Sequence, residues 1–354
     1  MHVLEAGYEH GRRPGLVLVH GFPELAYTWR KQLLPLARLG FHVIAPDLRG
    51  FGRSVTTPVG YDDDLLPYSM MNRVSDVLGL VRALGHEKVA AVVGHDWGGP
   101  TAAWCARLRP DVFQSVVSMS TPFFGAGSLP LNSANQPKHM DPAEDAKLYD
   151  LSALSPPRKH YQNYFTTREA NNDLWRAPQG VHALLRAQYY FKGADWKGNR
   201  PFRLRSWAAA ELAKMPKYYI MDLDKSYAQT MAAEMPTNEQ IAVCSWMKES
   251  ELRVFSTEFI RTGFQGGLNS YRIDAVAGDL STFSDRTIDV PALYIAGASE
   301  WGAFQAPGAL EDMKNVCSRL LGARFVQGAG HSIPEEQSAA VNGLLNDFLR
   351  KVHV

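Results

Sequence analysis

An aspartate stands in this sequence at a spacing built to present one side chain. Residues 89–100 read VAAVVGHDWGGP. The β-branched run predicts a buried strand ending at Gly94, and a helix is predicted to begin beyond Gly98-Gly99. Gly94-x-Asp96-x-Gly98 is the spacing of a nucleophile elbow, a strand-to-helix turn so tight that neighbours crowd it and glycines are needed beside the reacting residue. The helix behind it offers unbonded N–H groups and the positive end of its dipole. The competing reading of Asp96 is a plain helix N-cap, a common place for aspartate.

Aspartate in place of serine selects the chemistry. A carboxylate attacking an ester or amide carbonyl would give an anhydride, which gains nothing. Attack on a saturated carbon gives an alkyl ester, which water can cleave at its carbonyl. The substrate implied is therefore one with a leaving group on an sp³ carbon, an epoxide oxygen or a halide.

Such an ester needs an oxyanion hole and a water-activating base. The second strand ends in His20-Gly21-Phe22-Pro23-Glu24. A loop at this place supplies one oxyanion N–H and the residue after the nucleophile supplies the other, which points to the backbones of Phe22 and Trp97. Pro23 fixes its own φ and stiffens the loop. His20, just before the hole, reads as structural, and Glu24 as an orienting or exposed carboxylate. The chain order behind an elbow runs nucleophile, acid, histidine. Of eleven histidines, His331 in GAGHSIPEE follows the last predicted strand, while His353 lies in the tail. His331 is thus the candidate base, against the reading of a surface-loop histidine. The acid that orients its ring is expected after the preceding strand, PALYIAG, where Glu300 stands. The other possible place, after residues 115–119, reads STPFFGAG and has no carboxylate.

These residues need a sheet whose strand ends converge. Strands are predicted at His2–Ala6, Leu16–His20, His42–Pro46, Lys88–Gly94, Ser115–Met119, Pro291–Ala296 and Ala323–Gln327. Helices are predicted over 27–39, 69–84, 99–108, 307–321 and 335–351. Strand and helix alternating in this way mean βαβ units and a mostly parallel sheet, whose carboxyl ends gather catalytic groups. From about 123 to 285 that rhythm stops. The segment is rich in Trp, Tyr and Met, and residues 201–250 read as largely helical with breaks at Pro216 and Pro236. The organisation expected is a core over 1–122 and 288–354, with a helical lid inserted over 123–287.

A net charge of +1 with mixed signs excludes the clustered basic footprint of a nucleic-acid partner; Arg12-Arg13 reads as solvated surface. The three dispersed cysteines, Cys105, Cys244 and Cys317, argue against a disulfide framework and for a reducing compartment. With no signal-peptide pattern and no apolar run of membrane-spanning length, a cytoplasmic protein is expected. No metal or organic cofactor is expected, because water is the second substrate. The oligomeric state is not readable.

GHDWGG, HGFPE and the late GH together resemble the soluble epoxide hydrolases of the α/β-hydrolase superfamily, over nearly the whole chain. The resemblance implies the α/β-hydrolase fold with a lid, and hydrolysis of a small epoxide to a diol. It also implies two lid tyrosines that hydrogen-bond the epoxide oxygen. One matches Tyr271 in Phe264-Gln265-Gly266-Gly267-Leu268-Asn269-Ser270-Tyr271-Arg272, the other Tyr161 in Tyr161-Gln162-Asn163-Tyr164-Phe165. Neutral phenols are suitable donors to a departing alkoxide at pH 7. Tyr164, one helical turn along, rivals Tyr161, and packing is the bland reading of any tyrosine here. Two features depart from the family: its acid is usually aspartate rather than Glu300, and it usually has a strand before HVLEAG. The lid is also longer than in compact members, and its Trp175, Tyr189, Tyr190, Phe191, Trp196 and Trp207 read first as a helical core.

Two rival functions remain. A haloalkane dehalogenase would use Asp96 and His331 identically but needs side-chain N–H donors for halide. Trp97 could offer one, whereas Phe22, where an asparagine often stands, cannot. A non-catalytic binding protein on the same fold is the other rival, supported only by the Glu300 substitution.

Overall fold

Apolar runs between glycines and prolines become the strands of one sheet in the computed structural model, which describes residues 1–9, 13–123, 125, 150–273 and 278–352. Arg12, His353 and the stretch 126–149 of the expected lid lie outside the described residues. The strands are β1 (Val3–Ala6), β2 (Gly15–Val19), β3 (His42–Pro46), β4 (Val89–His95), β5 (Val116–Met119), β8 (Ala292–Gly297) and β9 (Leu320–Val326), ordered β1-β3-β2-β4-β5-β8-β9. A separate ribbon pairs β6 (Arg158–His160) with β7 (Ile220–Asp222). β1 runs antiparallel to β3 at one edge, and all other pairs in the main sheet are parallel. This is the α/β-hydrolase architecture.

Every residue of β2, β3, β4, β5 and β8 is buried, as expected for parallel strands covered on both faces. Alternate side chains divide into two cores. Leu16, Leu18, Val43, Val93 and Ile295 pack with Leu36 of the helix Arg30–Arg38 and with Val341, Leu345 and Phe348 of the helix Ser338–Val352. Val17, Val19, Val92 and Tyr294 face the opposite way, toward the helices Met70–Ala83 and Gly98–Leu108 and the helical segment.

Two expectations need correction. Residues 201–250 are not largely helical: they hold the short helices Ala209–Leu212, Tyr227–Ala232 and Asn238–Val243 and the strand β7. Prolines 201, 216 and 236 interrupt helix propagation, and Ser226 and Thr237 cap new helices with reciprocal capping boxes. The helix expected over 307–321 is Ala309–Val316, and β9 begins at Leu320 rather than 323. Leu320-Leu321 extended the helical pattern in the sequence, but they are edge-strand residues.

The helical segment is stitched to the sheet domain. Arg30 Nε donates to Glu251 at 2.9 Å and Lys31 Nζ donates to the Trp246 carbonyl at 2.7 Å, while Arg30 Nη1 is held within the sheet domain by Glu335. Tyr189 and Phe191 are buried in the core of the segment, whereas Trp207 is 44% exposed. None of the six aromatics singled out from the sequence lines the cavity described below. No helix among the described residues is long and apolar enough to cross a membrane.

Candidate active site

Asp96 follows β4 with φ +51°, one of two described non-glycine residues in the left-handed region. Its turn is crowded as the spacing required. A Cβ on Gly94 would lie 1.9 Å from the Gly98 carbonyl oxygen, and one on Gly98 would lie 2.1 Å from that of Val19. Trp97 is the N-cap residue of the helix Gly98–Leu108. The helix starts at once, so the carboxylate is held at the carboxyl end of the sheet above a helix N-terminus.

The Phe22 N–H donates to Asp96 Oδ1 at 2.8 Å. The HGFPE loop therefore lies against the carboxylate, and Gly21 is required there, since a Cβ would come within 2.4 Å of Asp96 Oδ1. His20 is fully buried; its Nδ1 donates to the Gly21 carbonyl at 2.8 Å and its Nε2 accepts the Leu48 N–H at 3.0 Å. That uses both ring nitrogens on the backbone, in keeping with a structural part. The Phe22–Pro23 peptide is cis.

His331 Nε2 lies 3.6 Å from Asp96 Oδ2, and its Nδ1 lies 2.7 Å from Glu300 Oε1. Assigning the ring proton to Nδ1, toward a group that accepts as a carboxylate, leaves the Nε2 lone pair facing Asp96. Burial, reinforced by the nearby Lys192 and His95 cations, holds the His331 pKa well below its usual value. Burial pushes Glu300 up to about 7, opposed by His95 and by a hydrogen bond from Ser120.

Several contacts around the site were not found from the sequence. Ser120, with φ +76° at the end of β5, donates to Glu300 and lies 3.1 Å from His331 Nδ1. It occupies the place where STPFFGAG offered no carboxylate. Glu24 is buried rather than exposed: it accepts the Gly21 N–H at 2.9 Å and lies 2.8 Å from His95 Nδ1, an ionic contact without a linear hydrogen bond. His95 Nε2 donates to the His331 carbonyl at 2.7 Å. Against the penalty of burial, Glu24 and other nearby carboxylates raise His95 to about 9, and His95 in turn draws Glu24 down to about 2. A histidine inside an apolar strand, next to Asp96, was the available signal.

The two motif tyrosines converge on the same space. Tyr271 stands edge-on to Trp97 (ring centroids 5.2 Å), Phe22 (5.7 Å) and Tyr161 (6.0 Å). Burial raises both phenols above the ordinary tyrosine range, and the Asp96 charge adds to it. Both are thus neutral O–H donors. Tyr164 goes elsewhere: burial and then the nearby Asp173 charge raise its phenol, and Lys159 Nζ sits 4.7 Å from its ring centre. A cavity of about 520 Å³ opens beside the site, lined by Tyr61, Leu65, Trp97, Gln162, Thr166 and Tyr271 among others.

The alpha/beta hydrolase fold family matches residues 14–337. Epoxide hydrolase B of Mycobacterium tuberculosis is 33% identical over 356 residues, covering 95% of this chain and 91% of that protein. An epoxide hydrolase of Caballeronia sordidicola is 29% identical, covering 97% of this chain and 90% of its own. Among solved structures, an epoxide hydrolase from an endophytic Streptomyces superposes with a TM-score of 0.76 at 30% identity, over 99% of this chain and 91% of that one. The chain belongs to the epoxide hydrolase family of the α/β-hydrolase superfamily.

Proposed function

We propose that the protein hydrolyses an epoxide to a vicinal diol through an ester on Asp96, with residues 123–287 as its lid. The observation that carries this is the division of labour on one carboxylate: Oδ1 is held by the Phe22 N–H, and Oδ2 faces His331 Nε2. Oδ2 attacks an epoxide carbon, the ring C–O bond breaks, and the departing oxygen takes a proton from Tyr161 or Tyr271. In the second step His331 Nε2 takes a proton from water, whose oxygen adds to the ester carbonyl. The backbone N–H groups of Phe22 and Trp97 are the proposed oxyanion donors. Collapse releases the diol and restores the Asp96 carboxylate, and the proton on His331 returns to the tyrosinate. Glu300 orients the imidazole and stabilises its cation. Three free cysteines suit a reducing, cytoplasmic setting.

The halide alternative is not favoured, because Phe22 contributes only a ring, packed among Phe51, Phe165 and Tyr271. Incubating the protein with styrene oxide and, separately, with a chloroalkane is the direct test. Diol from the first and no halide from the second are expected. Halide release would favour the dehalogenase, and no product from either would favour a binding protein.

Tyr271→Phe keeps the ring contacts and removes one donor to the leaving oxygen. By analogy with loss of a single oxyanion-hole donor, alkylation should slow roughly 10²- to 10³-fold. Single-turnover measurement of ester formation reads this out. An unchanged rate would remove Tyr271 from the reacting centre.

A further inference from the structure

The backbone N–H groups of the residues on either side of His331 are held by a carboxylate outside the reacting groups. Glu336 is buried, and its three hydrogen bonds among the described residues all come from backbone N–H groups. Its Oε2 accepts from Gly330 and from Ala194, both at 2.8 Å, and its Oε1 accepts from Ser332 at 2.9 Å. Gly330 and Ser332 bracket His331, whereas Ala194 lies just beyond the helix Gly180–Lys192 of the inserted segment. The His331 N–H itself donates to the Lys192 carbonyl at 2.9 Å. Three consecutive amides of the histidine loop are therefore fixed, two by Glu336 and one by the end of that helix. The approach is close: a Cβ on Gly330 would lie 2.5 Å from the Lys192 carbonyl oxygen and the Gly193 carbonyl carbon.

Resting on the two-step reading above, we propose that Glu336 is a positioning residue for ester hydrolysis, clamping the His331 loop to the end of the lid helix so that the imidazole keeps its aim at Asp96. Its three hydrogen-bond partners are Gly330, Ser332 and Ala194, none of them the groups that serve alkylation, Asp96, Tyr161 and Tyr271. A small misplacement of a base is costly, because proton transfer depends on reach and angle. Glutamine in its place presents an amide N–H₂ to a set of N–H donors and must release at least one of them.

The test is single-turnover kinetics with styrene oxide, following ester formation and ester cleavage separately, with thermal melting to verify folding. In Glu336→Gln, ester formation should stay within about threefold while cleavage slows about 10- to 100-fold. Glu336→Asp keeps two acceptor oxygens on a shorter stem, so it should show the same split, less severely. Should Glu336→Gln fail to fold, the aspartate variant alone carries the test. Equal slowing of both steps, or no change in either, would overturn the proposal while leaving the two-step reading intact. Absence of any ester in the unsubstituted protein would sink both together.

Discussion

Replacing His331 by glutamine is expected to stop the reaction halfway, with the epoxide opened and the ester uncleaved. Alkylation needs Asp96 and a proton donor, and His331 supplies neither. Cleavage needs a base within reach of a water at the ester, and His331 Nε2, 3.6 Å from Asp96 Oδ2, is the group so placed. Glutamine can bond a water but cannot take its proton at neutral pH. Steady-state turnover should therefore fall roughly 10⁴- to 10⁶-fold, as when one member of a nucleophile–base set is lost, while one equivalent of epoxide is still consumed. The pH profile of the unsubstituted protein bears on the same residue. Burial, Lys192 and His95 lower the His331 pKa well below 6.5. The neutral base is then present throughout the neutral range, and cleavage should fail only as pH drops through that lowered value. Continued steady turnover by His331→Gln would assign the base elsewhere.

Asp96→Ala should abolish both halves of the reaction, again by roughly 10⁴- to 10⁶-fold, because no carboxylate remains to be alkylated. The fold should survive. Alanine accepts a φ of +51° less readily than aspartate, at about 1–2 kcal/mol, and the Phe22 N–H loses its acceptor at about 1–3 kcal/mol. Together these lower the melting temperature without removing the core on either side of the sheet. Diol formation by a folded Asp96→Ala protein would mean that water attacks the epoxide directly.

Much of the framework was legible because it is local. The β4 run followed by Gly94, Asp96 and Gly98 declares a strand, a turn and a helix within twelve residues, and the structure has all three in place. The sheet follows from similar runs, since a buried parallel strand must be apolar on both faces. What lay beyond reach depends on neighbours distant in sequence. Ser120 beside Glu300 is a contact across 180 residues and Glu24 beside His95 one across 71, and a serine or glutamate carries no local mark of such a partner. Tyr161 and Tyr164, three apart on one short helix, differ in what faces them: the rings of Tyr219 and Tyr271 for the first, the Lys159 ammonium for the second. The region 201–250 misled because its helix-forming composition is cut by prolines and by caps that start new helices every dozen residues.

Intact-mass analysis of His331→Gln mixed with styrene oxide, followed by peptide mapping, bears most directly on whether Asp96 becomes esterified. Ring opening expels no atoms, so the mechanism requires a gain of one whole substrate mass, located on the peptide that contains residue 96. A folded protein of unchanged mass, or an adduct on any other side chain, would contradict it.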